Sequence, residues 1–330
     1  MAGNELKEYI FNSGISFADR LKKVYNYQVV HNPVYRDFSN VFGFNEDSDI
    51  DVESVPLLPI RAFQLRKITT DSSAANLIFK SSGTTGVIQS THHVADKSVY
   101  EAAISEAFYS HFPQEIYALL CSMPGYLDNP YSSLIWMATF LIKNDSSGLS
   151  KMYHDIENPD EWISDVLSQG KIPLLFGAAF GLLDLIDQKK INMSNQIEII
   201  ETGGMKTHRR EMSKEELRKH LSDGFNVDPS KIHSEYGMCE LLSQMYAISG
   251  EWFTTPHWVT VTIRDPKNPD RICEPGEEGK IGIIDLANFY SCPFILTEDK
   301  GIRDETGRFR VLGRWSSDNL RGCNFLIDRD

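Results

Sequence analysis

The chain has 330 residues, of which 41% are hydrophobic and 24% are charged, and this ordinary globular balance excludes wholesale disorder. The formal net charge of −13 argues against a general nucleic-acid-binding protein, since such proteins need surplus lysine and arginine beside the phosphates. The longest apolar runs, residues 134–142 and 172–183, are shorter than the roughly 20 residues that a membrane span requires. The N-terminus lacks an apolar signal core, and none of the five cysteines has CxxC spacing. We therefore expect a cytoplasmic protein without a disulfide framework or a zinc site.

Helices and strands are predicted to alternate through the first part of the chain. Residues 1–42 predict short helices that are rich in aromatic side chains. Asp96 is placed to cap a helix that ends near His111, and Ser213 with Glu216 forms a capping-box pattern for a later helix. The predicted strands span residues 77–79, 117–123, 172–176 and 197–200. This order is typical of an α/β protein.

From Trp252 onward the sequence becomes β-rich. Residues 258–263 alternate as a half-buried strand does, and residues 275–279 predict a turn before a strand over 280–286. Residues 304–307 predict a turn between two further strands. We therefore expect an α/β fold of mixed sheets flanked by helices, with a small β subdomain. We expect the chain to divide into an α/β body (1–246), a small β subdomain (247–312) and a C-terminal segment (313–330).

The most distinctive local motif follows the first predicted strand, where residues 81–86 read Ser-Ser-Gly-Thr-Thr-Gly. Its two glycines let the backbone approach a ligand closely, and its hydroxyls and amides can bind an anion. A Walker loop would end in Gly-Lys-Ser/Thr, whereas Gly86 is followed by Val-Ile-Gln, which argues against ordinary P-loop NTPase chemistry. Taken alone, such a segment is more often a Ser/Thr/Gly turn than a ligand site.

Four further segments come later in chain order. Residues 201–206 carry a glycine pair at a strand end, where α/β sheets bind ligands, and residues 234–240 offer an aromatic ring, a glycine and a carboxylate. Residues 297–299 and 312–314 each follow a later predicted strand. HExxH and GxSxG motifs are absent, which argues against the common zinc-protease and serine-hydrolase chemistries.

In this order the segments resemble the adenylate-forming superfamily of acyl-CoA synthetases. Residues 81–86 are similar to its phosphate loop, 236–240 (Tyr-Gly-Met-Cys-Glu) to its YGxTE motif, and 297–299 to its TGD motif. Residues 313–322 are similar to the hinge that begins its small C-terminal domain. The resemblance implies the large-domain fold of that superfamily, with 313–330 as a truncated hinge and tail and without the usual C-terminal small domain.

The resemblance is closer to the acyl-protein synthetase branch, the long-chain-fatty-acid–luciferin-component ligases, and it spans roughly residues 75–325. The segments that carry it are 79–86, 201–206, 234–244, 285–288 with Ser291 and Cys292, and 321–323. It implies ATP-dependent activation of a long-chain fatty acid to an acyl-adenylate, with transfer to an enzyme cysteine and then to a partner protein such as a reductase or carrier. ATP and Mg²⁺ are the implied cofactors.

The resemblance also implies site residues. The nucleotide-binding residues are Ser82, Gly83, Thr84, Thr85, Gly86, Gly203, Gly204, Tyr236, Gly237, Cys239, Asp299 and Arg314. Within this set, the 82–86 loop binds the phosphates, Gly203 and Gly204 border the adenine on which Tyr236 stacks, and Asp299 binds the ribose hydroxyls. Glu240 is the implied Mg²⁺ ligand, because this hard cation prefers carboxylate oxygen.

Three features depart from the superfamily pattern. The Pro-Lys that follows the phosphate loop in many relatives is missing, and Cys239 replaces the threonine of YGxTE, so that a weak thiol donor stands in for a hydroxyl. The small domain that carries a charge-neutralising lysine is also expected to be missing, and Lys206 is a candidate for partial substitution. Cys323 is the candidate acyl acceptor, since Arg321 would favour its thiolate and Gly322 would give the backbone freedom.

The acyl pocket is predicted from two segments that resemble family pocket segments. Tyr126 lies in the first, and Gly177 and Ala178 lie in the second, where small side chains leave room for an acyl chain or allow close helix packing. Two other functions stay open. One is an acyl-CoA ligase of the phenylacetate type, and the other is a non-catalytic nucleotide-binding or acyl-binding subunit.

Overall fold

The computed structural model describes residues 3–70, 75–81, 88–127, 129–192, 194–203 and 212–315. Three helices come first, as predicted: α1 (Gly3–Phe11), α2 (Phe17–His31) and α3 (Pro33–Val41). Each break between them has a local cause. The Ser16 side chain accepts a hydrogen bond from the Asp19 amide at the start of α2, and Asn32 caps α3, which begins with proline.

The predicted strands at 77–79, 117–123, 172–176 and 197–200 are found in that order among the elements that follow. Up to the first long parallel strand they are β1 (Leu58–Pro59), α4 (Ala62–Leu65), β2 (Leu77–Lys80), β3 (Thr91–Val94) and α5 (Lys97–Tyr109). The next group is β4 (Tyr117–Ser122), α6 (Ser133–Lys143), β5 (Lys151–Met152), α7 (Pro159–Ser168), β6 (Ile172–Ala178), α8 (Ala179–Asp187), β7 (Glu198–Thr202), α9 (Lys214–Phe225), β8 (Ile232–Tyr236) and β9 (Met245–Ala247). The last group is β10 (Val259–Arg264), β11 (Gly279–Asp285), β12 (Phe294–Arg303) and β13 (Phe309–Arg314).

Both predicted helix caps are confirmed. The Asp96 side chain accepts a hydrogen bond from the Ser98 amide at the start of α5. The Ser213 side chain accepts one from the Glu216 amide at the start of α9. Such caps satisfy backbone donors that have no partner within the helix, so the local sequence fixes where these helices begin.

A six-stranded sheet forms the centre of the α/β part, in the order β5-β4-β6-β7-β8-β9. The first five strands are parallel, and β9 pairs antiparallel with β8 at the edge. The carboxyl ends of β4, β6, β7 and β8 therefore meet along one edge. This edge is where open α/β sheets bind ligands.

The second sheet contains β10, β11, β12 and β13, which pair antiparallel, and β1, which pairs parallel with β12. A short strand from residues 58–59 therefore belongs to the sheet of the predicted β subdomain. Two positions differ from the sequence prediction. Thr297–Asp299 were expected to follow a strand but lie inside β12, and Gly313 and Arg314 end β13 rather than follow it.

One large hydrophobic core joins the two sheets and the N-terminal helices. It contains Leu21 from α2, Phe176 from β6 and Ile283 from β11, all 0% exposed. A second core on the other face of the six-stranded sheet packs α7, α8 and α9 against it. Within the described ranges, no helix has both the length and the apolarity to cross a membrane. The division at 246/247 and 312/313 stays a prediction.

Candidate functional site

Three residues predicted to bind the nucleotide meet at the junction of the two sheets. The Tyr236 hydroxyl at the end of β8 donates to Asp299 Oδ2 at 2.8 Å. Arg314 Nε donates to Asp299 Oδ1 at 3.0 Å, since the two residues are cross-strand partners on β12 and β13. Residues that lie 63 and 15 positions apart in the chain are thereby joined in one polar group.

The surroundings of this group are apolar on one side and open on the other. The Tyr236 ring packs against Phe253 and Phe309, with centroid distances of 5.8 and 5.6 Å. Burial, together with the Asp299 charge, raises the pKa of Tyr236 well above its usual value, so the phenol stays protonated and donates. Asp299 is 7% exposed, whereas the Arg314 side chain is 59% exposed. Each carboxylate oxygen can accept more than one hydrogen bond, so Asp299 retains capacity for a ligand hydroxyl.

A buried hydrogen-bond bridge holds the backbone of the 236–240 motif. Asn288 Nδ2 donates to the carbonyl oxygens of Glu240, at 2.8 Å, and of Cys292, at 2.9 Å. His92 Nδ1 lies 2.6 Å from the Cys239 carbonyl oxygen, and its Nε2 lies 2.9 Å from Asn288 Oδ1. Burial lowers the pKa of His92 to about 4, so the ring is neutral and its single N–H donates to one of these two oxygens. Both side chains are 0% exposed.

The bridge connects the motif to the predicted phosphate loop. His92 lies on β3, which pairs with β2, and residues 82–87 join these two strands. The base of that connection is held by Ser81 and Ser90, since the Ser81 amide donates to the Ser90 carbonyl and the Ser90 amide donates to the Ser81 hydroxyl. Sequence reasoning placed His92 where it could face the ligand and Asn288 in a segment that carries the resemblance, but it did not predict their contact, because the pairing of two distant segments has no local signature.

Glu240, whose carbonyl oxygen accepts a hydrogen bond from Asn288, is 5% exposed. In the described parts of the chain no cluster of three or more His, Cys, Asp or Glu side chains is arranged as a metal site. A single carboxylate fits Mg²⁺, which proteins bind through one or two carboxylates together with substrate phosphates and waters. It does not fit a metal held entirely by protein ligands.

Glu235, which sequence reasoning missed, is the most perturbed carboxyl group at this edge. It lies on β8 next to Tyr236, is 5% exposed, and accepts a hydrogen bond from the Thr202 hydroxyl. Burial, opposed by the Thr202 hydrogen bond, raises the pKa of Glu235 to about 7. Its strand reads Ile-His-Ser-Glu-Tyr, so no local hydrophobic pattern marked Glu235 as a buried residue.

The remaining described candidates lie along the same edge of the six-stranded sheet. Gly203 has φ of +76°, a conformation that glycine adopts without strain, and its absent Cβ would lie 3.7 Å from the Tyr126 hydroxyl. Tyr126 stacks on Phe180. At Gly177 a Cβ would lie 2.6 Å from Leu182 and 2.9 Å from the Ser122 carbonyl, so its missing side chain allows close packing. Ala178 is 1% exposed at the end of β6.

Gly237 and Cys239 complete the described part of the motif. A Cβ at Gly237 would lie 2.6 Å from Glu235 Oε1, so a side chain at this position would require the Glu235 carboxyl group to move. Cys239 is 9% exposed. The other candidates lie outside the described residues. They are Ser82, Gly83, Thr84, Thr85, Gly86, Gly204, Lys206 and Cys323.

Comparison with known proteins places this geometry in context. The family model of acyl-protein synthetase, LuxE, matches residues 131–330, which is more than half of the chain. No curated protein sequence shows significant similarity to the chain. An open conformation of 2-hydroxyisobutyryl-CoA ligase, in complex with 2-HIB-AMP and CoA, has a TM-score of 0.67 at 13% identity over 90% of this chain and 69% of that chain. ATP-bound MatB from Rhodopseudomonas palustris has a TM-score of 0.54 at 17% identity, over 74% of this chain and 49% of its own.

At these identities the similarity establishes the fold, which is that of adenylate-forming ligases. The predicted α/β fold and the resemblance to adenylate-forming ligases are confirmed. The chain spans about half the length of MatB.

Proposed function

Because the chain belongs to the acyl-protein synthetase family, LuxE, we propose that it converts a carboxylic acid and ATP to an acyl-adenylate and then passes the acyl group to a thiol. Family and fold support an acyl-activating ligase that uses ATP. The meeting of Tyr236, Asp299 and Arg314 carries the proposal for this chain, since all three were predicted to bind one nucleotide. A long-chain fatty acid remains the predicted substrate class.

In the first step a carboxylate oxygen of the substrate attacks the α-phosphorus of ATP. A new O–P bond forms as the bond to pyrophosphate breaks, and no protein nucleophile is needed. Catalysis of such a step depends on positioning and on stabilising charge. Asp299 would hold the ribose hydroxyls, Arg314 would donate to the nucleotide, and the bridge through Asn288 would fix the backbone that carries Glu240.

Glu240 would hold Mg²⁺ together with the ATP phosphates. When bound, Mg²⁺ neutralises charge on the phosphates. The loop residues Ser82, Thr84 and Thr85 would contribute hydroxyls to the same phosphates, and Lys206 would supply part of the positive charge. These assignments follow from the family resemblance.

In the second step a thiolate attacks the carbonyl carbon of the acyl-adenylate. A C–S bond forms, the bond from that carbon to AMP breaks, and AMP leaves. Burial raises the pKa of both Cys121 and Cys292 to about 12, so these thiols stay protonated and are poor nucleophiles. The assignment of Cys323 as the acceptor, from which a partner protein would take the acyl group, follows from the family resemblance.

The test follows pyrophosphate exchange and acyl labelling in the same preparation. The protein is incubated with ATP, Mg²⁺ and a panel of labelled carboxylic acids, and adducts are checked for cleavage by hydroxylamine. Cys323→Ser should abolish the adduct and retain exchange, whereas Cys273→Ser, at a buried cysteine on the β10–β11 connection, should retain both.

Three results would contradict parts of the proposal. Labelling that persists in Cys323→Ser would reject that acceptor. Direct formation of acyl-CoA from added coenzyme A, without a protein adduct, would favour a CoA ligase instead. Absence of carboxylate-dependent exchange with every acid would reject adenylation itself.

A further inference from the structure

A buried carboxylate with no part in the proposed reaction holds the backbone that follows Glu240. Asp285, the last residue of β11, is 1% exposed. Its Oδ2 accepts hydrogen bonds from the backbone amides of Leu242, at 2.9 Å, and Ser243, at 3.0 Å. Its Oδ1 accepts a third from the Ser243 hydroxyl, at 2.7 Å. All three donors therefore belong to two consecutive residues that begin two positions after Glu240.

A second buried side chain fixes the direction of the third hydrogen bond. Trp258 Nε1 donates to Ser243 Oγ at 2.8 Å, and since an indole can only donate, the Ser243 hydroxyl gives its own hydrogen to Asp285. Burial raises the pKa of Asp285, and the hydrogen bonds from Ser243 and Leu242 oppose that shift. The donors thus compensate the carboxylate for its loss of water.

The backbone is held on both sides of Glu240, whereas its carboxylate is not. Asn288, three residues after Asp285, donates to the Glu240 carbonyl oxygen, and the Leu241 amide donates to the Met238 carbonyl oxygen at 3.1 Å. Within the described ranges, no hydrogen bond or ion pair holds the Glu240 carboxylate itself. Its position therefore depends on the backbone that carries it.

We infer that Asp285 is a positioning residue for Glu240, because it holds the backbone that decides where the Glu240 carboxylate meets a cation. The inference rests on the proposed function, in which Glu240 holds the Mg²⁺ that accompanies ATP. This ion demands near-ideal octahedral geometry, so a displaced ligand binds it less well.

The set of donors requires a carboxylate at position 285. An asparagine there would offer one acceptor oxygen, and its NH₂ group would face donors that cannot accept a hydrogen bond from it. Asp285→Asn therefore keeps the size of the side chain and releases part of the backbone at Leu242 and Ser243.

The main experiment measures ATP binding by calorimetric titration without a carboxylic acid, once with Mg²⁺ and once with excess chelator. The gain in ATP affinity on adding Mg²⁺ reports the metal contact. Asp285→Asn should weaken ATP binding with Mg²⁺ by roughly 10- to 100-fold, the usual effect of removing a group that orients a metal ligand. ATP affinity in the chelator should keep its parental value.

A double-mutant cycle tests whether the effect passes through Glu240. Glu240→Gln alone should remove most of the Mg²⁺ gain. Adding Asp285→Asn to Glu240→Gln should then cause little further loss, because two residues that act through one contact are not additive. A residue that only stabilised the fold would give additive losses.

Two more variants control for stability. Arg264→Met removes an equally buried side chain of β10, whose partners are the carbonyl oxygens of Val52 and Glu53, and it should leave the Mg²⁺ gain unchanged. Ser243→Ala removes one donor and keeps both amides, so it should reduce the gain less than Asp285→Asn does. This milder variant carries the test if Asp285→Asn does not fold.

Amide hydrogen exchange adds a readout that needs neither ATP nor metal. The amides of Leu242 and Ser243 should be protected in the parent chain and should exchange faster in Asp285→Asn. Unchanged protection of these two amides would show that Asp285 does not hold this backbone, and the inference would be overturned.

The remaining outcomes separate the inference from the proposed function. A folded Asp285→Asn variant with the parental Mg²⁺ gain overturns the inference and leaves adenylation intact. Additive losses in the cycle, or an equal loss in Arg264→Met, also overturn it. Retention of the full gain in Glu240→Gln rejects the metal assignment of the proposed function, and the inference falls with it.

Discussion

Replacement of Asp299 by asparagine tests the candidate nucleotide site most directly. Asp299 is almost fully buried, with Tyr236 on one oxygen and Arg314 on the other. Asparagine keeps the shape and one acceptor oxygen but removes the charge, and its amide NH₂ group faces one of the two donors, Tyr236 or Arg314. Since Arg314 is more than half exposed, it can turn to solvent, and we expect a loss of only about 1–2 kcal/mol in the free energy of unfolding.

The expected effect on ATP is larger. Hydrogen bonds to a charged group contribute about 1.5–3 kcal/mol each, against about 1 kcal/mol for neutral pairs. Weakening the bonds to two ribose hydroxyls should therefore cost about 1.5–3 kcal/mol. At 1.4 kcal/mol per tenfold change, this is a loss of roughly 10- to 100-fold in ATP affinity.

Calorimetric titration measures this loss, with 2′-deoxy-ATP as a second ligand. The parent chain should bind 2′-deoxy-ATP about tenfold more weakly than ATP, and Asp299→Asn should discriminate much less between them. Tyr236→Phe is the control, because it removes the internal hydrogen bond and keeps the carboxylate. Unchanged ATP affinity in a folded Asp299→Asn variant, with full discrimination against 2′-deoxy-ATP, would refute the ribose assignment.

Three further predictions concern the neighbouring residues. Asn288→Ala should lower kcat for pyrophosphate exchange at least tenfold more than Asn32→Ala does, since Asn32 is equally buried but contacts no residue of the 236–240 motif. Both variants should cost about 2–4 kcal/mol of stability by denaturant unfolding. Equal kcat values would show that the bridge is only structural. Glu240→Gln should remove Mg²⁺-dependent exchange and leave the unfolding midpoint nearly unchanged, and exchange at the parental rate would reject the metal assignment. Burial raises the pKa of Glu235 from 4.5 to about 7, so its contribution to stability is fully present below pH 4.5 and is lost as the pH rises through 7. The stability of the parent relative to Glu235→Gln should therefore fall by about 3 kcal/mol over that range. A pH-independent difference would contradict the burial of this group.

The sequence by itself determined the main helices and strands, the order of the motifs and the family. Asp96 and Ser213 predict where their helices begin, because an N-cap hydrogen bond forms within one turn of the chain. The apolar runs of β4 and β6 predict buried strands for the same local reason. The nucleotide motifs were recognisable because each is a short contiguous segment.

Only the tertiary structure decided which distant side chains meet. Asp299 reaches Tyr236 because two sheets pack at one edge, and Asn288 reaches Glu240 across 48 residues of chain. The row of Thr202, Glu235 and Tyr246 exists only in the register of β7, β8 and β9, which pairs residues that no spacing relates. Register is set by how whole faces of a sheet are buried, and burial in turn decides the pKa of Glu235 and leaves the Tyr246 hydroxyl without a partner.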